Sequence, residues 1–204
     1  MAMPSQKVDQ NLPITIVTGF PRSGTSMMMQ VLLAGGMAVV SDGTRMADAQ
    51  NPRGYLEWEP IKTLRNPTHS IQFEAFRGMA LKVIYRLVYH LPRLSPGFNL
   101  IVMHRNFQEV FHSQQRLLQH LGKPTQGTYQ TWLPLFRKEW EVFQKWIENQ
   151  AQFRIFHADY NRLLFQPEPT VKRLQGFLGG KLNLHAMLET IDPKLYRQRN
   201  LAGS

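Results

Sequence analysis

Short apolar runs rich in β-branched residues alternate along the chain with longer stretches of helical periodicity. Four such runs predict buried strands: 13–19, 79–85, 99–104 and 152–157. Apolar residues at helical spacing predict helices over 106–121 and 128–150, and the helix-forming Met, Gln and Leu residues of 25–34 predict a third. Strands that alternate with helices are typical of βαβ units, in which helices cover both faces of a mainly parallel sheet. The pattern therefore predicts an α/β fold of three layers, with a central sheet flanked by helices.

The chain of 204 residues shows no internal repeat and no low-complexity tract. We expect a flexible N-terminus over residues 1–12 and a single α/β domain over 13–204. The N-terminus lacks the apolar core of a signal peptide, and the longest apolar run, 27–40, is too short to cross a bilayer. Cysteine is absent, which excludes disulfides, thiolate metal ligands and cysteine nucleophiles. Because neither a signal peptide nor a membrane-spanning run is found, we expect a cytoplasmic protein with no membrane-spanning segment.

The net charge of the chain is +10, from 24 basic and 14 acidic side chains. Residues 1–120 and 121–204 each carry 12 basic and 7 acidic residues, so neither terminus is a basic arm of the kind that binds nucleic acid. The strongest imbalance lies in 75–117, where six basic residues accompany a single acid. No helix-turn-helix, zinc or RNA-recognition signature is present. We expect an anionic small molecule, rather than a nucleic acid, as the partner of this charge.

The first predicted strand ends in a glycine-flanked turn, Gly19 to Ser26, with the sequence G-F-P-R-S-G-T-S. A turn between a buried strand and a helix presents backbone N–H groups and the helix N-terminus to an anion. Gly24 permits close approach, Thr25 offers a hydroxyl, and Arg22 adds a fixed fork of donors. Nucleoside-triphosphate loops carry Gly-Lys-[Ser/Thr], and that lysine is missing here. The turn predicts an anion site, with a kinase-like nucleotide site as the weaker alternative.

This turn resembles the 5′-phosphosulfate loop of sulfotransferases that use 3′-phosphoadenylyl sulfate (PAPS). The resemblance runs from Ile14 to about residue 180, includes the stretch N-P-R-G-Y-L-E at 51–57, and implies a P-loop-type α/β sandwich. It implies that the donor's 3′-phosphate is held by Arg105 at a strand end and Ser113 in the next helix. It further implies cofactor-binding roles for the residues of the loop and for a tyrosine beside adenine: Pro21, Arg22, Ser23, Gly24, Thr25, Ser26 and Tyr160.

The chain also departs from this family. Cytosolic members carry a C-terminal Arg-Lys-Gly-x-x-Gly-x-Trp segment over the 3′-phosphate, and no such segment occurs here. Basic residues of the tail are the candidate substitutes: Lys194, Arg197 and Arg199. Asn161 and Arg162 stand where relatives have an acidic pair after the tyrosine. On a helical wheel Ser113 lies at the flank of the apolar stripe, whereas Arg116 is expected to point away.

Two residues are candidates for the base that takes the acceptor's proton. His90 lies in H-L-P, which resembles the catalytic histidine segment of cytosolic relatives, but seven residues separate it from Lys82 where the family has one. Glu57 is the alternative, since carboxylate bases serve in the carbohydrate-modifying branch. Lys82, at a strand end, is expected to contact the sulfuryl oxygens.

The resemblance implies transfer of a sulfuryl group from PAPS to a hydroxyl or amine of a small-molecule or carbohydrate acceptor. Sulfuryl transfer, like phosphoryl transfer, depends on positioning and on stabilising charge on the moving group's oxygens. We expect Arg22, helped by the loop amides, Thr25 and Ser26, to neutralise the bridging and leaving oxygens, with no metal ion. A P-loop kinase-like protein and a relative that binds nucleotide without catalysis are the alternatives.

Overall fold

A computed structural model of the chain describes residues 9, 11–47, 51, 53–124 and 127–193. Most of the predicted flexible N-terminus lies outside these residues, as do the three basic residues of the tail, Lys194, Arg197 and Arg199. In the described part of the chain, no helix is both long enough and apolar enough to span a membrane.

Four parallel strands form the sheet in the described residues, in the order β2-β1-β3-β4. Their bounds are β1 Ile14–Gly19, β2 Ala80–Lys82, β3 Phe98–His104 and β4 Phe153–Asp159. Segment 38–40 extends the β2 edge, because the Val40 N–H donates to the Ala80 carbonyl at 2.8 Å and the Ala80 N–H donates to Ala38. Strand β1 lies between β2 and β3, so the next strand in the chain, β2, is added on one side of β1, and the later strands β3 and β4 are added on the other side. Such a switch point opens a crevice at the carboxyl edge of the sheet.

Helices cover both faces of this sheet, which confirms the predicted three-layer α/β architecture. Their bounds are α1 Thr25–Ala34, α2 Tyr85–Val88, α3 Phe107–His120, α4 Tyr129–Glu148, α5 Tyr160–Phe165, α6 Pro167–Phe177 and α7 Leu184–Glu189. Two short 3₁₀ helices lie at Glu59–Arg65 and Phe73–Phe76.

Alternate residues of the central strands face two separate cores, as the pleat requires. Val17 and Ile101 pack with α1, α5, α6 and α7 on one face. Ile16 and Leu100 pack with α2, α3, α4 and the 3₁₀ helices on the other. Because both faces are covered, β3 is buried along almost its whole length and its sequence is a nearly continuous apolar run.

The second predicted strand is shorter than its apolar run suggests. Pairing with β1 covers three residues, and after Val83 donates its N–H to the Val17 carbonyl at 3.0 Å the chain turns into α2. Tyr85 begins that helix and buries its ring against Trp140 and Phe143 of α4. Aromatic packing in the helical layer thus replaces strand pairing beyond Lys82, so the prediction of a strand through residue 85 was too long.

Candidate active site

A cleft of about 560 Å³ opens at the carboxyl edge of the sheet, where the loop after β1, the end of β2 and the residue after β3 meet. This is within the usual size range of small-molecule sites. Seven basic side chains line it: Arg22, Arg45, Arg53, Lys62, Lys82, Arg105 and Arg116. Two acidic side chains, Glu57 and Asp192, line it as well. The cleft is therefore strongly positive, and part of the +10 charge of the chain is concentrated in it.

The phosphate loop bends through backbone conformations that favour glycine. Gly24, immediately before α1, has φ +97°, and a Cβ placed there would lie 2.9 Å from Cε2 of Tyr160 and closer still to Cδ2. Arg22 adopts φ +72°, an uncommon conformation for a residue with a side chain. Such strain tends to occur at functional sites, where the surrounding structure holds it.

An aromatic cluster fixes the loop to the helical layer. Phe20 is buried, and its ring centroid lies 4.6 Å from that of Tyr85, 4.8 Å from Trp140 and 5.5 Å from Phe107. These rings come from α2, α4 and α3. The loop is therefore anchored to the helical layer by one buried apolar side chain.

Five of the six predicted loop residues line the cleft, from Pro21 to Ser26, and Ser23 is the exception. The Ser23 side chain is 1% exposed and points toward Gly19, and its hydroxyl has no hydrogen-bond partner within the described residues. The first N–H groups of α1 have no acceptors within the helix. Backbone groups, Arg22 and the hydroxyls of Thr25 and Ser26 thus make up the donor set of the loop.

The two predicted anion sites are joined by hydrogen bonds across the cleft. Arg22 Nε donates to Ser113 Oγ at 2.9 Å, although the two residues are 91 positions apart in the chain. Arg105 Nη1 donates to the Arg22 carbonyl at 2.9 Å and so supports the left-handed peptide. The resemblance assigned Arg22 to the first site and Arg105 and Ser113 to the second, and in the structure both residues of the second site contact Arg22.

Besides the Arg22 carbonyl, the Arg105 guanidinium contacts a carboxylate and an aromatic ring. Its Nε donates to Glu109 at 2.9 Å in an ion pair whose side chains are 7% and 3% exposed. Its guanidinium lies 4.2 Å from the centroid of the Tyr160 ring, and Asn161 donates to the other oxygen of Glu109 at 3.0 Å. Burial raises the pKa of Tyr160, and the nearby cations only partly oppose that effect. Tyr160 therefore stays a neutral ring at the wall of the cleft.

A second chain of polar contacts runs from Arg45 through Glu57 and Lys82 to Ser26 of the loop. Lys82 Nζ donates to Glu57 Oε1 at 2.7 Å and to Ser26 Oγ at 3.1 Å, and Arg45 Nη1 donates to both oxygens of Glu57. Burial alone would raise the pKa of Glu57, but the two cations outweigh burial and hold the pKa below its usual value. Burial lowers the pKa of Lys82, and the Glu57 carboxylate restores it only in part. Glu57 is accordingly an ionised carboxylate between two cations.

The segment carrying Glu57 is tied to the rest of the fold at both ends of the cleft. Gln30 of α1 donates to the Gly54 carbonyl at 3.0 Å. Arg53 donates to the Thr190 carbonyl and pairs with Asp192 at 3.8 Å. Arg53, Tyr55 and Glu57 of this segment line the cleft together with the loop.

Two sequence-based placements differ from the structure. His90 follows α2 on the exposed surface and is not among the residues that line the cleft. Arg116 was expected to point away, and that was wrong: it lies one turn beyond Ser113 on α3 and lines the cleft. Residues at i and i+3 share a helix face, so this side of Ser113 was available to a long side chain.

Several residues of the site were missed by sequence reasoning. Arg45, Arg53 and Tyr55 line the cleft from irregular segments, where no periodicity indicates direction. Glu109 follows Arg105 by four residues in a predicted helix, and that spacing was a usable signal for an ion pair. Among the described residues, no group of three or more His, Asp and Glu side chains is arranged to hold a metal ion.

The profile of the sulfotransferase domain family matches residues 12–198 of this sequence. The chain belongs to the sulfotransferase domain family, which confirms the resemblance carried by the loop, Arg105 and Ser113. A search of curated proteins by sequence found no significant match.

Solved structures of sulfotransferases share the fold. Mouse sulfotransferase SULT7A1 complexed with PAP superposes with a TM-score of 0.54 at 16% identity over 89% of this chain. The sulfotransferase domain from the curacin biosynthetic pathway gives 0.50 at 16% over 90%, and retinol dehydratase in complex with androsterone and inactive cofactor PAP gives 0.51 at 15% over 90%. This chain spans 63% of the mouse protein, 89% of the curacin domain and 65% of retinol dehydratase. At these identities the likeness is one of fold.

Proposed function

We propose that this protein transfers a sulfuryl group from PAPS to a hydroxyl or amine of a small-molecule or carbohydrate acceptor, without a metal ion. The observation that carries the proposal is the hydrogen bond from Arg22 to Ser113. It places the helix-terminal loop beside Ser113, and Arg105 contacts the same loop, so that one cleft offers two groups of donors to a ligand with more than one anionic group. The PAP complexes of the mouse sulfotransferase and retinol dehydratase support the same class of donor.

The residues present fit such a nucleotide. The loop backbone, Thr25 and Ser26 would hold the 5′ end, while Arg105 and Ser113 would hold the 3′-phosphate. Tyr160 presents a neutral ring beside both the loop, at Gly24, and Arg105, in keeping with the predicted place of adenine. The volume of the cleft, about 560 Å³, is adequate for a nucleotide together with part of an acceptor.

In this reaction, side chains of the protein have three roles: to stabilise the leaving oxygen, to neutralise the sulfuryl oxygens and to accept a proton. When PAPS is bound it supplies the sulfuryl group, and in the transfer the acceptor's oxygen or nitrogen bonds to sulfur while the bond from sulfur to the 5′-phosphate oxygen breaks. Arg22 and the loop N–H groups stabilise the negative charge left on that phosphate oxygen. Lys82, which donates to Ser26 of the loop, is placed to neutralise the sulfuryl oxygens. Glu57 accepts the proton of the acceptor.

Glu57 suits a base in a loose transition state. Its pKa lies below the ordinary value, so it is ionised at neutral pH, the form that a base requires. A weak carboxylate base is sufficient when bond breaking leads and the acceptor acquires positive charge late in the reaction. His90 is exposed outside the cleft lining, and we therefore propose Glu57 in preference to it.

The proposal is tested by calorimetric titration with adenosine 3′,5′-bisphosphate (PAP), using adenosine 5′-monophosphate as the matched ligand without the 3′-phosphate. We expect PAP to bind more tightly, and Ser113→Ala to reduce that preference. The absence of PAP binding at about 1 mM, where even a weak specific site is partly filled, would contradict the proposal. Binding without turnover over a broad set of acceptors would favour the non-catalytic relative.

The loop arginine offers a sharper prediction. Removing a single oxyanion donor costs about 10²–10³-fold in rate in other enzymes, and Arg22→Ala removes both the charge and the link to Ser113. We expect transfer from PAPS to fall by at least that factor, measured with radiolabelled donor. Lys172→Ala removes an exposed cation on α6 that is paired with Glu168, and serves as the control. Undiminished transfer by Arg22→Ala would exclude Arg22 from the mechanism.

A further inference from the structure

The proposed function leaves the class of acceptor open, and the inference below rests on it. Arg45, Tyr55, Glu57 and Trp58 line the cleft outside the loop 19–26, and we call these four residues the acceptor wall. Their chemistry, rather than that of the nucleotide side, decides which molecules can present a hydroxyl or amine to the sulfur.

The charges beside the acceptor wall are unequally matched. Lys62 pairs with Glu59 at 2.7 Å, and Arg53 pairs with Asp192 at 3.8 Å, so each of these cations has its own carboxylate. Glu57, by contrast, is shared by two cations, Arg45 and Lys82. Once Lys82 is assigned to the sulfuryl oxygens and Glu57 to the acceptor proton, Arg45 remains as a cation of the acceptor side.

Arg45 is held in place before any acceptor arrives. Its guanidinium lies 3.5 Å from the centroid of the buried Tyr55 ring, which fixes the plane of the guanidinium. The loop that carries Arg45 is hydrogen-bonded to the backbone of residues 57–59, the segment that contains Glu57. Ser41 Oγ donates to the Glu57 carbonyl at 3.1 Å, and the Glu59 N–H donates to Asp42 at 2.6 Å. Pre-organisation of this kind reduces the entropy lost on binding.

Arg45 already binds a carboxylate, that of Glu57. Its Nη1 lies 3.2 Å from Oε1 and 3.1 Å from Oε2, while Lys82 holds Oε1 alone at 2.7 Å. A second carboxylate that took over Arg45 would release Oε2, the oxygen that Lys82 does not hold. It would also remove one of the two cations that keep the pKa of Glu57 low. The same event would thus bind the acceptor and strengthen the base.

We propose that the acceptor is an acidic molecule, and that Arg45 binds its carboxylate in exchange for Glu57. The apolar side of the cleft, formed by Trp58, Ile61 and Val83, then takes the body of the acceptor. Arg45 is a specificity-determining residue, and Glu57 accepts the proton once Arg45 has turned to the acceptor.

The test uses two phenols, 4-hydroxyphenylacetate and its methyl ester, of which only the first carries a carboxylate. Their dissociation constants are measured by calorimetry on the full chain saturated with PAP. Hydrogen bonds between charged groups make about 10-fold to 100-fold differences in affinity, so we expect the acid to bind more tightly than the ester by such a factor. In Arg45→Gln the acid should lose this advantage while the ester keeps its affinity, and Arg45→Lys should retain part of the advantage.

Controls separate this inference from the proposed function. Lys172→Ala, an exposed cation on α6, should keep the preference for the acid, and thermal unfolding should show that Arg45→Gln is folded. PAP should bind Arg45→Gln with its wild-type affinity. Equal binding of acid and ester, no binding of the acid at about 10 mM, or a preference that survives in Arg45→Gln would overturn the inference while leaving PAP binding intact. Failure of wild-type protein to bind PAP would instead overturn the proposed function and this inference with it.

Discussion

At the scale of single residues, Arg22 has a strained backbone conformation, and Glu57 is a partly buried carboxylate that stays charged. Arg22 keeps φ +72° because Arg105 holds its carbonyl and Ser113 accepts from its guanidinium. Glu57 is buried enough to resist ionisation, yet its two cations keep it ionised. In both cases a local cost is offset by partners far away in the sequence.

The choice of base is decided by a pair of variants. Glu57→Gln keeps the shape of the side chain but removes the proton acceptor, and we expect kcat to fall by about 10²–10⁴-fold, the usual contribution of a general base. His90→Asn should keep the wild-type rate, because His90 lies outside the cleft lining. The result that would reverse this assignment is loss of rate in His90→Asn with retention in Glu57→Gln.

The dependence of the transfer rate on pH is a second test of Glu57 as the base. Because the pKa of Glu57 lies below its ordinary value of 4.5, the carboxylate stays ionised as the pH falls to that value. The acid limb of kcat/KM, which reports the protein without acceptor, should therefore lie below pH 4.5, and Glu57→Gln should lack it. An acid limb near pH 6.5, the ordinary value of histidine, would point to a different base.

Of the secondary-structure elements, α1 is flanked by two glycines with positive φ. Gly24, immediately before the helix, has φ +97° and lies against the ring of Tyr160 from α5. At the other end of α1, Gly36 has φ +94° and a Cβ there would meet nothing within 4 Å. The two glycines thus share a backbone conformation and differ in their surroundings.

That difference makes a controlled prediction. Gly24→Ala and Gly36→Ala both impose a conformational cost of about 1–3 kcal/mol, but only Gly24→Ala also collides with Tyr160. We expect Gly24→Ala to lower the free energy of unfolding by more than Gly36→Ala does, measured with urea. PAP binding should weaken in Gly24→Ala alone, and equal affinity in the two variants would show that the loop tolerates the extra carbon.

For the folded chain as a unit, pH acts on stability through a histidine pair between neighbouring strands. His104 at the end of β3 and His157 of β4 share a hydrogen bond of 2.7 Å. Burial, and secondarily His157, lower the pKa of His104 to about 4, and Asp159 opposes this only in part. The unfolded chain takes up this proton near pH 6.5, whereas the folded chain does so only near pH 4. Stability therefore falls as the pH is lowered through this window.

This linkage is measured by the temperature of unfolding between pH 7 and pH 4. We expect it to decline in the wild-type protein and to decline less in His104→Gln, which has no proton to gain. His69→Gln changes an exposed histidine and should follow the wild-type slope. A wild-type slope in His104→Gln would show that other groups carry the pH dependence.

Much of the fold was predictable because its signals are local. A nearly continuous apolar run such as 99–104 can be buried only in a strand covered on both faces, and helical spacing over 128–150 places Phe143 in the core. The phosphate loop was predictable for the same reason, since strand, glycine turn and helix are neighbours in sequence. The end of β2 was not, because the rings that draw Tyr85 into a helix come from α4.

By itself, the sequence determined the layers of the fold and the strand, turn and helix that form the loop at the end of β1, and its resemblance to sulfotransferases predicted a second anion site at Arg105 and Ser113. Only the tertiary structure decided that Arg45 and Lys82 share Glu57, that Arg116 reaches the cleft and that His90 does not line it. The physical reason is the range of the interactions. Periodicity and turn chemistry act over a few residues, whereas the charge, burial and pKa of a side chain depend on every group that folding brings beside it.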